Sequence, residues 1–181
     1  SMQNLLKIHN TLYDLLQKAV IKRIDNSDRP VAFLCSGGID SSIIFGIAWN
    51  YLQKQNRKMH VFSMEFEKSK SYDRFYAKML MKEYKHPNLV YTPVTFNWKD
   101  VIDIVDQMPK ILETYDPNTI RASIPMYLLA KYIRQNTDFK VFLSGEGADE
   151  LFMGYNYFTQ ILKKDGQIAN QESKRLIKNL H

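Results

Sequence analysis

The chain has 181 residues, and a prior of about 150 residues per domain favours a single domain. With 7 Gly and 6 Pro it is neither fibrous nor of low complexity, and one cysteine excludes an internal disulfide. No apolar run reaches the roughly 18 residues that a membrane helix needs. The net charge of +6 suits a polyanionic ligand without separating a nucleotide from a nucleic acid. We expect a cytoplasmic protein, and we interpret residues 1–2 as a remnant of expression.

Helix and strand patterns alternate along the chain. In chain order they predict helix 4–24, strand 31–35, helix 41–55, strand 59–66, helix 72–84, strand 89–94, helix 98–112, helix 122–135 and strand 139–143. A short helix is expected near Asp149, and a weak one over 172–180 within a polar tail, 163–181. We expect Pro109 to kink or shorten its helix and Pro125 to lie in a first turn.

This alternation predicts an α/β fold, an open, mostly parallel twisted sheet with helices on both faces, as one domain over 3–181. Residues 31–35 are continuously apolar, which is typical of a strand buried on both faces. Two predicted strands end in glycine-containing loops, 36–42 and 144–149, that lead into helices. Because ligands bind beyond the carboxyl ends of strands in such sheets, we expect both loops to line one site.

The first of these loops has the composition of an anion site that includes a cation. Gly37 and Gly38 allow a sharp turn whose backbone N–H groups face an anion at the start of a helix. Asp40 would repel a phosphate unless Mg²⁺ lies between them. The hydroxyl groups that flank the glycines belong to Ser36, Ser41 and Ser42. The alternative interpretation is an ordinary glycine turn in which Ser41 caps the helix.

Three sequence blocks resemble those of one enzyme family. The segment SGGIDSS at 36–42 resembles the PP-loop of the ATP pyrophosphatases, which cleave ATP between the α and β phosphates and adenylate a substrate. The segment SGEGADELFMGY at 144–155 resembles a block of the asparagine synthetases. ETYD at 113–116, with TIRAS at 119–123 and PMYLL at 125–129, resembles another block of that family. The resemblance runs in order from about residue 12 to residue 180, over nearly the whole chain.

The resemblance implies a synthetase domain that uses ATP and Mg²⁺. Such a domain converts aspartate and MgATP into β-aspartyl-AMP and pyrophosphate, and ammonia then displaces AMP to give asparagine. It assigns the pyrophosphate grip to the loop at 36–42, and Mg²⁺ to Asp40 and Asp149. Leu34 and Met64 match positions that contact the adenosine, although the family usually has valine in place of Met64.

The remaining implied positions lie in the other two blocks. Ser144 and Gly145 would line the nucleotide near the α-phosphate. Glu146 matches a catalytic glutamate of the ammonia step, in which a carboxylate removes a proton from the attacking nitrogen. Arg121 would hold the transferring phosphate or a substrate carboxylate. The chain departs from the family pattern at Met153, where the family usually has glycine, and at Asn118, where it usually has threonine.

The resemblance also concerns what lies outside these blocks. Glutamine-using members have an N-terminal amidotransferase domain with a catalytic cysteine at its N-terminus. The sequence contains no match to that domain, so we expect the nitrogen to come from free ammonia or from a glutaminase domain or chain. A further acid and a phosphate-contacting lysine of the family would lie beyond residue 181. The alternatives are a nucleotide-binding or regulatory remnant without turnover, and a PP-loop ligase with another substrate. Neither a membrane nor a nucleic acid is expected as partner, and an oligomer is left open.

Overall fold

The computed structural model describes residues 2–67, 72–164 and 166–178. The strands are β1 (Val31–Leu34), β2 (Met59–Phe66), β3 (Leu89–Phe96) and β4 (Val141–Leu143). The helices are α1 (Met2–Asp25), α2 (Ile39–Lys54), α3 (Tyr72–Glu83), α4 (Trp98–Val105), α5 (Met108–Leu112), α6 (Pro117–Asn136), α7 (Ala148–Phe152), α8 (Asn156–Lys164) and α9 (Gly166–Lys178). The chain divides into two compact units, Ser1–Ser144 and Gly145–His181, and each is described by itself.

The first unit contains a parallel four-stranded sheet in the order β3-β2-β1-β4. Ala32 of β1 lies opposite His60 of β2 on one side and Phe142 of β4 on the other. All pairs are parallel, so the carboxyl ends of the strands lie at one edge of the sheet. The predicted α/β fold with a parallel sheet is confirmed.

Each face of the sheet is covered by its own apolar cluster. Side chains alternate between the faces of a strand, and in β1 the buried neighbours Ala32 and Phe33 belong to different clusters. Phe33 packs with residues of α1 and α2, such as Ile24 and Phe45. Ala32 packs with residues of α4, α5 and α6, including Ile133. The sheet is therefore buried on both sides, as its continuous apolar strand predicts.

The start of α6 differs from the prediction. The sequence places Pro125 in the first turn of a helix over 122–135, but α6 begins at Pro117 and contains Pro125 in its interior. Asp116 explains the earlier start, because its carboxylate accepts the backbone N–H of Thr119 at 2.7 Å and caps the helix. The Thr119 hydroxyl also donates to this carboxylate, at 2.6 Å, and this bond together with the backbone bond lowers the pKa of Asp116. Pro117 follows the cap, where a missing N–H is harmless.

Two further elements refine the predictions. The predicted interruption near Pro109 is confirmed: α4 ends at Val105, and Pro109 lies in the first turn of the separate helix α5. The weak helix expected over 172–180 is wrong in its start, because α9 begins at Gly166. Ser173 within α9 is buried, although the segment was expected to be a polar tail. Residues 179–181 lie outside the described residues. None of the helices in the described part of the chain is both long and apolar enough to cross a membrane.

Candidate active site

The loop after β1 is shaped by one of its two glycines. The N–H of Cys35 donates to the carbonyl of Phe62 at 2.9 Å, which continues the parallel pairing one residue beyond the strand. Gly37 then has φ 90°, a conformation that favours glycine. Gly38 has φ −66° and ψ 162°, which any residue adopts, and a Cβ there would lie 3.4 Å from Ser36 Oγ. The turn therefore depends on Gly37.

The N-terminus of α2 is open toward this loop. Its N-cap is Gly38, and among the described residues no side chain caps it, so the interpretation of Ser41 as the cap is wrong. Ser41 is instead the third residue of the helix, is buried, and donates to the Gly38 carbonyl at 3.2 Å. Its hydroxyl lies 3.1 Å from that of Ser36. The N–H groups of the first turn have no intrahelical acceptor and are suited to an anion.

Asp40 provides a hard oxygen donor at the same place. It is the second residue of α2 and is half-buried, as is Ser42 two residues further along the helix. Across the described ranges, no three His, Cys, Asp or Glu side chains are grouped closely enough to hold a metal ion. One carboxylate next to an anion cradle fits Mg²⁺ that arrives with phosphate oxygens and keeps several waters, as Mg²⁺ usually does.

Leu34 and Met64 lie on one face of the sheet near the same edge. Leu34 lies opposite Phe62 across the β1–β2 pair, and Met64 follows Phe62 by two residues, so the alternation of side chains places them on the same face. Met64 is 39% exposed, and Leu34 packs at the margin of the core. These two side chains offer an apolar surface for a planar ring.

Ser144 and Arg121 complete the predicted positions of the first unit. Leu143 lies opposite Phe33, so Ser144 begins a loop at the same edge of the sheet and beside the strand that leads to Ser36. The 20-residue helix α6 ends shortly before β4 begins, and therefore at the amino edge. Arg121 near the other end of α6 lies toward the carboxyl edge and is exposed.

A buried acid at the end of β2 was missed in the sequence. The side chain of Glu65 is 3% exposed and lies 2.9 Å from Arg74 Nε and 3.1 Å from Lys78 Nζ, both of α3. Two residues before it, the Ser63 hydroxyl lies 2.6 Å from that of Tyr91. Burial is the main cause that raises the pKa of Tyr91. The signal was a glutamate inside a mostly apolar strand, a position that an acid rarely occupies unless it is paired.

We expect Glu65→Gln to lower the free energy of unfolding by about 1–3 kcal/mol, because a neutral amide at this buried position cannot offset the charges of Arg74 and Lys78. Glu67→Gln is the matched control, since Glu67 follows on the same strand end and is exposed. Urea denaturation of both variants measures the difference. Equal losses would contradict the assigned role of the buried carboxylate.

The second unit contains Gly145, Glu146 and Asp149 around the five-residue helix α7. Glu146 is exposed and Asp149 is half-buried. The left-handed residue before α7 is Gly147, with φ 89°, whereas Gly145 does not have a positive φ. The residue after α7 is Met153, with φ 58°, so a methionine occupies the left-handed position where the related block usually has glycine.

We expect Met153→Gly to raise the free energy of unfolding by about 0.5–1 kcal/mol, because glycine has no Cβ to strain at positive φ. Met79→Gly is the control for backbone conformation, since Met79 lies in ordinary helical backbone of α3, although Met79 is 52% exposed and Met153 is half-buried. That change should lower stability by about 1 kcal/mol. Opposite signs in chemical denaturation confirm the strain; a loss at both positions would disprove it.

Comparison with known proteins first defines the fold. The chain is similar to the NH3-dependent NAD synthetase from Campylobacter jejuni, with a TM-score of 0.52 and 20% sequence identity, over 81% of this chain and 60% of that one. At this identity the likeness concerns the fold alone, a parallel α/β sheet with helices on both faces. The parallel sheet order and the helix that begins directly after β1 are parts of this α/β fold.

The chain belongs to the asparagine synthase family, whose sequence model matches residues 11–180. It is 36% identical over 178 residues to a probable asparagine synthetase of Acanthamoeba polyphaga mimivirus, and 37% identical over 174 residues to the asparagine synthetase of Homo sapiens. Both relatives are described as glutamine-hydrolyzing. These alignments cover 98% and 96% of this chain but only 31% and 30% of the relatives, so the chain spans about a third of their length.

Proposed function

We propose that this domain binds MgATP and activates the β-carboxylate of aspartate for reaction with ammonia. The observation that carries the proposal is the uncapped N-terminus of the 16-residue helix α2, which follows the left-handed Gly37 and has Asp40 in its first turn. Backbone N–H groups and the positive end of the helix attract phosphates, and a carboxylate beside them calls for a cation. The chain's membership of the asparagine synthase family supports aspartate and ammonia as co-substrates.

Each residue of the first unit has a proposed task. The N–H groups around Gly37 and Gly38, with the hydroxyls of Ser36 and Ser42, hold the pyrophosphate part of ATP. Ser41 is buried behind the loop and braces it through its bond to the Gly38 carbonyl. The backbone of Leu34 contacts the adenosine, Met64 contacts the adenine ring, and Ser144 lies near the α-phosphate. We propose that Arg121 neutralises charge on the phosphate or on the substrate carboxylate.

The reaction follows from these positions. The β-carboxylate oxygen of aspartate attacks the α-phosphorus, and the bond between that phosphorus and the bridging oxygen breaks to release pyrophosphate. Asp40 is the proposed ligand for Mg²⁺, which would arrive with ATP and would offset the charge on the departing pyrophosphate. Ammonia then attacks the acyl carbon, AMP leaves, and asparagine forms.

The second unit has its own proposed tasks. Glu146 accepts a proton from the attacking nitrogen, Asp149 is a further carboxylate ligand for Mg²⁺, and Gly145 contacts the nucleotide. The relatives' description as glutamine-hydrolyzing supports a glutaminase domain or chain as the source of ammonia.

The test is release of AMP and pyrophosphate from MgATP by the 181-residue chain, with aspartate and with ammonium supplied. The proposal predicts that pyrophosphate is released only when aspartate is present. Asparagine should form only when both aspartate and ammonium are present. Binding of MgATP without release of pyrophosphate would indicate a nucleotide-binding module instead of a ligase. Pyrophosphate release with another acid, but not with aspartate, would indicate a PP-loop ligase for a different substrate.

We expect Glu146→Gln to keep the parent's affinity for MgATP and to lose asparagine formation by at least about hundredfold, because general-base catalysis contributes a factor of about 10²–10⁴. Glu150→Gln is unsuitable as a control, because Glu150 is bonded to Tyr155 within the same unit. The same change at the half-buried Glu172 of α9, which is ion-paired with Arg175 three residues further on, provides a control within the second unit. Loss of MgATP binding in Glu146→Gln would give Glu146 a structural role instead.

A further inference from the structure

Asp149 lies in a helix that is too short to orient it unaided. The helix α7 has five residues, little more than one turn, and none of them is buried. A single turn gains few backbone hydrogen bonds for the residues that it orders, so its geometry depends on contacts from outside. The contacts around α7 therefore decide where the carboxylate of Asp149 lies.

The first contact comes from Gly154. Its N–H donates to the Asp149 carbonyl at 3.0 Å. A Cβ built on Gly154 would lie 2.0 Å from Oδ1 of Asp149 and 3.1 Å from its Cγ, far inside the distances that atoms tolerate. Gly154 does not have a positive φ, unlike Gly147, so its backbone conformation does not require glycine. A Cβ at this position would therefore displace the Asp149 carboxylate from where it lies against the backbone.

Further hydrogen bonds hold Glu150, the next residue of α7. The buried hydroxyl of Ser173 in α9 donates to the Glu150 carbonyl at 2.5 Å. The Tyr155 hydroxyl donates to the Glu150 carboxylate, and this bond is the main cause that raises the pKa of Tyr155. Both the backbone and the side chain of Glu150 are thus held by neighbours within the second unit, and α7 is held with them.

We propose that Gly154 and Ser173 are positioning residues for Asp149: the first makes room for its carboxylate, and the second holds the helix from which it projects. The proposal rests on the proposed function, in which Asp149 is a ligand of Mg²⁺ bound with ATP. Neither residue touches the metal or the nucleotide in this account. Their effect on binding passes through the placement of one carboxylate, so it should depend on Mg²⁺.

The contact itself is tested by a double-mutant cycle in the 181-residue chain. Gly154→Ala is expected to lower the urea midpoint in the parent. It should lower the midpoint much less in an Asp149→Ala background, where Cγ and Oδ1 are gone. Equal shifts in both backgrounds would overturn the contact as the reason for glycine. Gly46→Ala is the control, since a Cβ there meets nothing within 4 Å.

The positioning role is tested by the Mg²⁺ concentration that gives half-maximal ATP binding. Gly154→Ala and, independently, Ser173→Ala should raise it by about tenfold, the effect expected when support behind a metal ligand is lost. ATP binding measured in EDTA should stay unchanged in both variants. Folding of each variant is checked by circular dichroism, and Ser173→Ala tests the role even where Gly154→Ala fails to fold.

The outcomes separate the two claims. If the parent binds MgATP and both variants keep its Mg²⁺ requirement, the positioning role is overturned and the proposed function stands. If the folded parent does not bind MgATP, the proposed function fails and takes the positioning role with it. The double-mutant cycle still reports on the contact in that case, because it needs no nucleotide.

Discussion

Replacing Asp40 by asparagine is expected to weaken binding of MgATP by at least about hundredfold. Residues that only support a metal ligand change metal affinity by about 10–100-fold, so loss of a direct ligand should have at least the larger effect. The fold should survive, because Asp40 is half-buried at the first turn of α2 and contributes about 0.3–1 kcal/mol there through the helix dipole. Calorimetric titration measures the affinity, and urea denaturation measures the stability.

When Mg²⁺ is removed, Asp40→Asn is not expected to weaken ATP binding. In EDTA the carboxylate of Asp40 repels the phosphates of free ATP, so Asp40→Asn should bind ATP at least as tightly as the parent does. Asp138→Asn is the control, since Asp138 is an exposed aspartate just before β4, at the amino edge of the sheet. An Asp40→Asn protein that binds MgATP like the parent would contradict the assignment of this residue to the metal.

Replacing Gly37 by alanine is expected to lower the free energy of unfolding by about 1–2 kcal/mol and to weaken MgATP binding by about tenfold. The φ of 90° at Gly37 places a Cβ in the left-handed region, where L-residues are disfavoured by about that energy. A loop that relaxes this strain no longer presents its N–H groups in the bound geometry, and 1.4 kcal/mol corresponds to tenfold in affinity.

Two other glycines near this loop provide the comparison. Gly38→Ala should fold normally, because its φ is −66° and its Cβ would make only an ordinary contact with Ser36. Gly46→Ala within α2 should raise stability by about 0.5–1 kcal/mol without changing MgATP binding, because alanine favours a helix interior. If all three variants lost binding equally, the loop's conformation would not be what recognises the nucleotide.

The fold was largely predictable because the sequence patterns are local and strong. The continuous apolar run at the start of β1 indicates burial on both faces, and β2 was predicted with its observed bounds. Pro93 did not prevent β3 from extending to Phe96, because β3 is an edge strand and Pro93 is exposed. The start of α6 was mispredicted because two prolines competed as the start signal, and the Asp116 cap decided between them.

The candidate site was only partly predictable. The residue types of the loop predicted an anion-binding site. The sequence did not show which of Gly37 and Gly38 the turn requires, because that depends on φ. Nor did it reveal that Ser41 is buried and bonded back to the loop. Glu65 escaped notice because its partners Arg74 and Lys78 lie on another element, and only the fold brings them together.

We propose that the loop between β1 and α2 binds the phosphates of MgATP. The most direct measurement is calorimetric titration of the 181-residue chain with MgATP, beside the same titration without Mg²⁺. We expect saturable binding at one site that is strengthened by Mg²⁺ and lost in Asp40→Asn. A folded chain that gives no saturable heat with MgATP, or gives the same heat in Asp40→Asn, would contradict it.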